Sequence, residues 1–91
     1  MFYKTKVNIL DGSFTKIGEA LVDLQVFNQQ MTFEDNITLH ITKRAFCDIV
    51  LLNIFCYMQT DNALYKVMDI KQWDDYLELL LYECEVNYAE R

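Results

Sequence analysis

The sequence predicts a mainly β chain, and three observations carry that expectation. Apolar and polar residues alternate with a period of two in three separate segments. Stretches rich in turn-forming residues separate those segments. The third segment is also β-branched on part of its polar face, as a pleated, half-buried surface favours. In the first segment Tyr3, Thr5, Val7 and Ile9 alternate with Lys4, Lys6 and Asn8, which gives one face to the core and one to water. The stretch Asp11 to Glu19 holds both glycines, Gly12 and Gly18, and is expected as the first loop. Val22, Leu24 and Val26 then alternate with Asp23, Gln25 and Phe27, a second strand ending near Asn28.

The next stretch, Asn28 to Asn36, contains Gln29, Gln30, Thr32, Glu34 and Asp35 and is too polar for a core position. It is expected as a long exposed loop from which Met31 and Phe33 protrude. Ile37, Leu39 and Ile41 alternate with Thr38, His40 and Thr42 in the clearest strand pattern of the chain. That register points His40 away from the core, with no nucleophile or acid pair nearby to give it a catalytic role. The run Ile49 to Met58 is apolar on both faces, as suits a strand covered on two sides or sealed by a neighbouring subunit. Thr60, Asp61 and Asn62 form the turn after it.

The last third admits two readings. Trp73, Tyr76, Leu77, Leu80, Leu81 and Cys84 fall at helical spacing, with Asp74 and Asp75 in what would be the first turn. The other reading is a hairpin: Leu64 to Trp73 as one strand, Asp74 and Asp75 as the turn, Tyr76 to Val86 as the other. Periodicity does not decide between them.

Composition narrows the function. The chain has 91 residues, 53% hydrophobic and 24% charged, and a formal net charge of -6. It is read as a single domain spanning residues 1–91. At this size a chain buries roughly 60 to 65% of its unfolded surface, so a partner copy would add useful burial. An acidic surplus argues against a freestanding nucleic-acid binder, which needs Lys and Arg to displace counterions. Residues 1–10 carry Lys4 and Lys6 and no acid, whereas residues 71–91 carry six acids against Lys71 and Arg91. Such asymmetry fits either head-to-tail orientation of subunits or an ordinary solvated surface. Neither a secretory leader nor a run of about 20 apolar residues is visible, so the chain is expected in the cytosol where it is made. Cys47, Cys56 and Cys84 lack C-x-x-C spacing and sit among apolar neighbours, the setting of reduced core thiols. With His40 as the single histidine, a tight four-ligand zinc site is not expected. There is no phosphate-cradling glycine loop, no Ser/His/Asp set and no acid-base pair, so neither an enzyme nor a cofactor is expected.

Two segments carry a family resemblance. The string Ile41-Thr42-Lys43-Arg44-Ala45-Phe46-Cys47-Asp48, followed by Leu64-Tyr65-Lys66-Val67-Met68-Asp69-Ile70-Lys71-Gln72-Trp73-Asp74-Asp75-Tyr76, resembles the head-tail joining proteins of long-tailed phages, also called head-closure, stopper or connector proteins. There an extended strand with a T-K-R-x-F-C/P-D-like end precedes a strand of the form Y-K-V/I-x-x-I-x-x-W, an acidic turn and a closing strand. The chain departs from that pattern between Asp48 and Thr60, where the family's polar, glycine-containing turn is replaced by Ile49 to Met58.

The resemblance implies a small antiparallel β-barrel or sandwich with a long polar loop, and the hairpin in place of a helix for Leu64 to Val86. It also implies a virion structural role. A homo-oligomeric ring would sit below the portal, retain packaged DNA without reading its sequence, and dock the tail, with portal or adaptor and tail proteins as partners and no membrane. Within that role the loop residues Gln29, Gln30, Met31, Phe33, Glu34 and Asp35 are candidates to face the channel or a partner. Lys4, Lys6, Phe55, Tyr57, Glu83 and Glu85 are candidates for inter-subunit contacts, the lysines meeting acids of the tail segment that include Glu90. A tail-terminator or other completion protein is the nearest alternative. A small acidic helical regulator, with Lys71 to Glu85 as its binding helix, is the distant one.

Overall fold

Six strands, β1 (Thr5–Leu10), β2 (Lys16–Thr32), β3 (Thr38–Cys47), β4 (Tyr57–Gln59), β5 (Leu64–Gln72) and β6 (Leu77–Cys84), close into a barrel in the order β1-β2-β3-β6-β5-β4. The structure is a computed structural model that describes residues 3–48 and 56–84. Every neighbouring pair is antiparallel. Two three-stranded meanders are thus joined so that β4 returns beside β1, a Greek-key arrangement, and closure removes sheet edges everywhere but along the outer part of the β2–β3 hairpin.

The register explains the core. Residues directly opposite one another share a face. Val22, Cys47 and Leu77 align across β2, β3 and β6, and Leu24, Ala45, Leu79 and Ile70 align across β2, β3, β6 and β5. Both rows point inward, where Val22, Ala45, Cys47 and Leu79 are wholly buried and pack with Val7, Met58 and Val67. A barrel of this size has no lumen; its interior is side chains, with small Ala45 at the middle of a row of larger ones.

The segment Trp73 to Cys84 is extended, and the helical reading is overturned. Trp73 N–H donates to the Tyr76 carbonyl at 2.9 Å, closing a turn over Asp74 and Asp75, and β6 then pairs with β3 on one side and β5 on the other. Helical spacing arose because β6 is apolar on both faces. Leu77, Leu79 and Leu81 fill the barrel, while Leu80, on the outer face opposite Arg44 and Asp69, is also buried. The distant alternative of a helical regulator loses its binding helix.

Two loops are shorter than the sequence suggests. The first spans Asp11 to Thr15, and Gly18 lies within β2. The polar stretch expected as a loop over Asn28–Asn36 is mostly strand: Gln29, Gln30, Met31 and Thr32 pair with Ile41, His40, Leu39 and Thr38, leaving Phe33 to Ile37 as the turn. Along this stretch of β2 Gln29, Gln30 and Thr32 are exposed and Met31 alone is half-buried, so apolar-polar alternation fades although the backbone stays extended. Asn28, with φ 53°, is the other cause. It forms a bulge with Phe27 opposite Thr42, which bends β2 and carries the β2–β3 hairpin outward as an arm. Exposed His40 points outward as expected.

The two long hairpins share one turn design. Asp11 N–H donates to the Thr15 carbonyl and Phe14 N–H to the Asp11 carbonyl; Phe33 N–H donates to the Ile37 carbonyl and Asn36 N–H to the Phe33 carbonyl. Each loop places its fourth residue in the left-handed region, Asn36 at φ 61° and Phe14 at φ 64°. Asparagine tolerates that conformation. For a bulky residue it costs roughly 1–2 kcal/mol. Gly12, two residues earlier, does not occupy the position that calls for it.

Candidate interaction surfaces

At the arm, β3 leaves β6 after Lys43 pairs with Leu81, and the space that opens between the arm and the β5–β6 sheet is a groove of about 780 Å³. Its arm side carries Met31, Phe33, Ile37 and Leu39, and its barrel side Met68, Tyr82 and Lys66. Met31 and Leu39 are register partners, and Leu39 continues the inward face of Ile41, Ala45 and Cys47, so the arm wall of the groove is the apolar interior face prolonged past the barrel, while Lys66 and Tyr82 are register partners on the outer face of β5 and β6. Met68 reaches it from a bulge between Val67 and Asp69. Acidic Glu34, Asp35 and Asp69 stand around it. Of the candidate loop residues, the structure gathers Met31, Phe33, Glu34 and Asp35 here; Gln29 and Gln30 are exposed on β2 and do not line it.

On the outer face a second cluster forms around Arg44. Its guanidinium carbon lies 5.6 Å from the Phe27 ring centre and 5.2 Å from that of Phe46. Its Nε donates to Gln25 at 3.2 Å and one terminal nitrogen approaches Glu78 at 3.7 Å. The Trp73 indole N–H also donates to Glu78, and the Tyr76 ring sits against both Phe46 and Trp73. Lys71 Nζ lies 4.1 Å over the Trp73 ring. Arginine held between aromatic rings is typical of residues that anchor protein interfaces. Sequence reasoning missed this cluster, because its members come from four strands and meet only through register.

The barrel end opposite the arm presents Phe14, 55% exposed, its ring 4.6 Å from that of Tyr57. Tyr57 was a candidate from sequence and Phe14 was not. The available signal was an aromatic residue in the middle of Asp11-Gly12-Ser13-Phe14-Thr15, a turn that otherwise consists of small and polar residues. Asp11 organises the loop by accepting from the Ser13 and Thr15 amides at 2.8 and 3.0 Å.

Nearby, Lys6 and Lys16 both bind the Glu19 carboxylate, the former at 2.8 Å. Hydrogen bonds from Lys16 and then Lys6 hold the Glu19 carboxyl down at about 2. Among the described residues, therefore, the acid that meets Lys6 is Glu19. Lys4 and Lys6 line a polar hollow of about 730 Å³ with Asn8, Gln59 and Asp61. Glu83 is exposed on β6 opposite Tyr65. Phe55, Glu85 and Glu90 lie outside the described residues.

Cys47 and Cys56 are buried and Cys84 is half-buried, and none of the three is joined in a disulfide among the described residues. Burial, with help from the Asp48 charge, pushes the Cys47 thiol up to about 11. Among the described residues no three of His, Cys, Asp and Glu converge as metal ligands would. Compared with protein-family models, curated proteins and solved structures, the chain matches none.

Proposed function

We propose that this chain is an architectural subunit of a phage virion, a head-tail connector that assembles as a ring below the portal, retains packaged DNA and offers a docking surface to the tail. The observation that carries the reading is the β2–β3 arm. Among the described residues the β1 ladder along β2 ends at Val22 and the β6 ladder along β3 ends at Lys43, so a two-stranded ribbon projects from an otherwise closed barrel. Open ribbon edges are templates for pairing with another chain, and a closed barrel beside them is a rigid block from which a ring can be built. Since the barrel interior is packed, any channel would lie between subunits. An arm tip bearing Glu34 and Asp35 would meet passing DNA with repulsion and low friction. The sequence resemblance over Ile41 to Asp48 and Leu64 to Tyr76 supports the same reading.

The test is negative-stain imaging of the purified chain mixed with portal-bearing capsids. A ring of added density beneath the portal is the expected result. Density only at the free end of isolated tails would make the chain a tail terminator, and density at neither would end the connector reading.

A further inference from the structure

We infer that the β2–β3 arms of neighbouring copies pair edge to edge, β3 of one against β2 of the next, a contact that rests on the ring reading and specifies how its subunits join. The backbone names the groups involved. Hydrogen-bonded and non-hydrogen-bonded pairs alternate along an antiparallel ladder, and the bond from Phe33 N–H to the Ile37 carbonyl sets the phase at the tip of the arm. Thr32 with Thr38 and Gln30 with His40 are then the non-hydrogen-bonded pairs. Their amides and carbonyls point out of the ribbon, those of Gln30 and Thr32 along the β2 edge and those of Thr38 and His40 along the β3 edge. Among the described residues no strand lies against either edge there, since the β1 ladder stops at Val22 and the β6 ladder at Lys43. Backbone groups in that state end on water or on a strand of another chain.

Both edges lack the devices that keep lone edges apart. Across residues 28–32 and 38–42 there is no Lys, Arg, Asp, Glu or Pro; the acids of the arm, Glu34 and Asp35, stand in its turn, and the bulge at Asn28 lies at its base. Thr32, Thr38, Ile41 and Thr42 are instead β-branched and suited to pairing. That the occupant is a second copy follows from how the two edges match each other. Where copies in a ring point their arms the same way, β3 of one runs opposite to β2 of the next, the direction the two strands already take within the arm. The same side chains then meet again. Inside the arm the Thr32 and Thr38 hydroxyls lie 2.9 Å apart, and Gln30, Thr32, Thr38 and His40 share one exposed face without a carboxylate or an amine. An antiparallel neighbour continues that face with the same threonine and glutamine partners. A foreign strand would cover one edge and leave the other open, whereas copies of this chain cover both once a ring closes.

Proline is the probe, because the amides of Gln30 and His40 bond nothing within the arm and their loss costs the fold little. Gln30→Pro blocks the β2 edge and His40→Pro the β3 edge, and each full chain should keep the circular dichroism spectrum of the unaltered one. In analytical ultracentrifugation either variant alone should be monomeric at concentrations where the unaltered chain associates. A mixture of the two should form one-to-one dimers and nothing larger, joined through the edge that each retains. Dimers of Gln30→Pro alone would mean a two-fold contact between β3 edges and overturn the pairing, as would a mixture no more associated than its parts or an unaltered chain that stays monomeric throughout. Amide exchange in the unaltered chain tests the same edges without substitution. The rates at Gln30, Thr32, Thr38 and His40 should fall by about tenfold or more as concentration rises, and unchanged rates at those four would also overturn it. The two readings fail separately. Gln30→Pro chains that still give full density beneath the portal remove this contact and leave the connector standing, while one-to-one dimers of the two variants without portal density for the unaltered chain support the contact and remove the connector.

Discussion

Arg44 on β3 reaches Glu78 on β6 diagonally, two register positions from its direct partner Leu80, with 3.7 Å between nitrogen and oxygen. Glu78 is the more buried of the two and also accepts the Trp73 indole N–H, so one carboxylate joins β3, β6 and the β5–β6 turn. Partly exposed ion pairs contribute little by themselves. Here stacking on Phe27 and Phe46 and the bond to Gln25 add to it. Arg44→Ala should therefore cost roughly 1–2 kcal/mol in urea unfolding, and Arg44→Lys should recover less than half, because an ammonium cannot stack and fork at once. Trp73, the only tryptophan, gives the second readout. Glu78→Leu should shift its emission at native conditions while Glu78→Gln, which keeps an acceptor, should not.

Thr42 stands opposite the Phe27–Asn28 bulge, and its hydroxyl is buried with no hydrogen-bond partner among the described residues. An unsatisfied buried hydroxyl is a cost that an isosteric methyl avoids. Thr42→Val should raise stability by roughly 1 kcal/mol. A lower midpoint in urea, with an unchanged slope, would show that the hydroxyl has a role at the bulge.

How much of this was legible follows from where alternation holds. Val7, Val22 and Ile41 lie on strands with one wet and one dry face, and period two reads them directly. It fails at Gln29 to Thr32, where polar residues occupy both faces and Met31 alone is half-buried, and at Leu77 to Leu81, where β6 is dry on both. In the second case only partners distant in sequence, Arg44 and Asp69 over Leu80, reveal the outer face. The candidate groove was half legible: Met31 and Phe33 were conspicuous in a polar stretch, but Met68 and Tyr82 join them through a bulge that no local pattern announces. Phe14 was hidden because the nearby Gly12 supplies a sufficient reason for a turn, and only backbone angles show that the glycine is not at the position under strain.

Acid should weaken the barrel end that carries Glu19. Its folded pKa, about 2, lies below the ordinary 4.5, so the stability it contributes is full above pH 4.5 and is lost as pH falls toward 2. The groups involved are solvent-exposed, so salt should shrink the effect. Urea midpoints measured from pH 6 to 2 should fall less steeply for Glu19→Gln than for the unaltered chain. Parallel slopes would remove the Lys6–Glu19–Lys16 cluster from the acid response.

The Cys47 thiol, raised to about 11 from 9.0 by burial and Asp48, behaves in the opposite sense. The protonated form is the one the fold accepts, so its contribution is complete below pH 9 and is lost as pH climbs to 11. At pH 8 a thiol-specific reagent should modify half-buried Cys84 first, while Cys47 reacts only as fast as the barrel opens. Equal rates at Cys47 and Cys84 in the absence of denaturant would contradict the burial on which this rests.

The bulge at Asn28 divides β2 into a part held by the barrel and a part held only by β3, and the two should open separately. Among the described residues Thr38 to Ile41 pair on one side alone, while Lys43 to Cys47 lie between β2 and β6. Amide exchange at Leu39 and His40 should therefore outrun that at Ala45 and Phe46 by orders of magnitude, since opening of the arm as far as His40 leaves buried Ile41 and the rest of the core in place. Asn28→Gly preserves the left-handed angle and should change stability by only a few tenths of a kcal/mol. Asn28→Val disfavours that angle and should cost roughly 1–2 kcal/mol, with exchange accelerated in the arm and little altered at Ala45. If both substitutions instead speed exchange uniformly from Leu39 to Phe46, the arm and the barrel are one cooperative unit and the bulge is not a boundary between them.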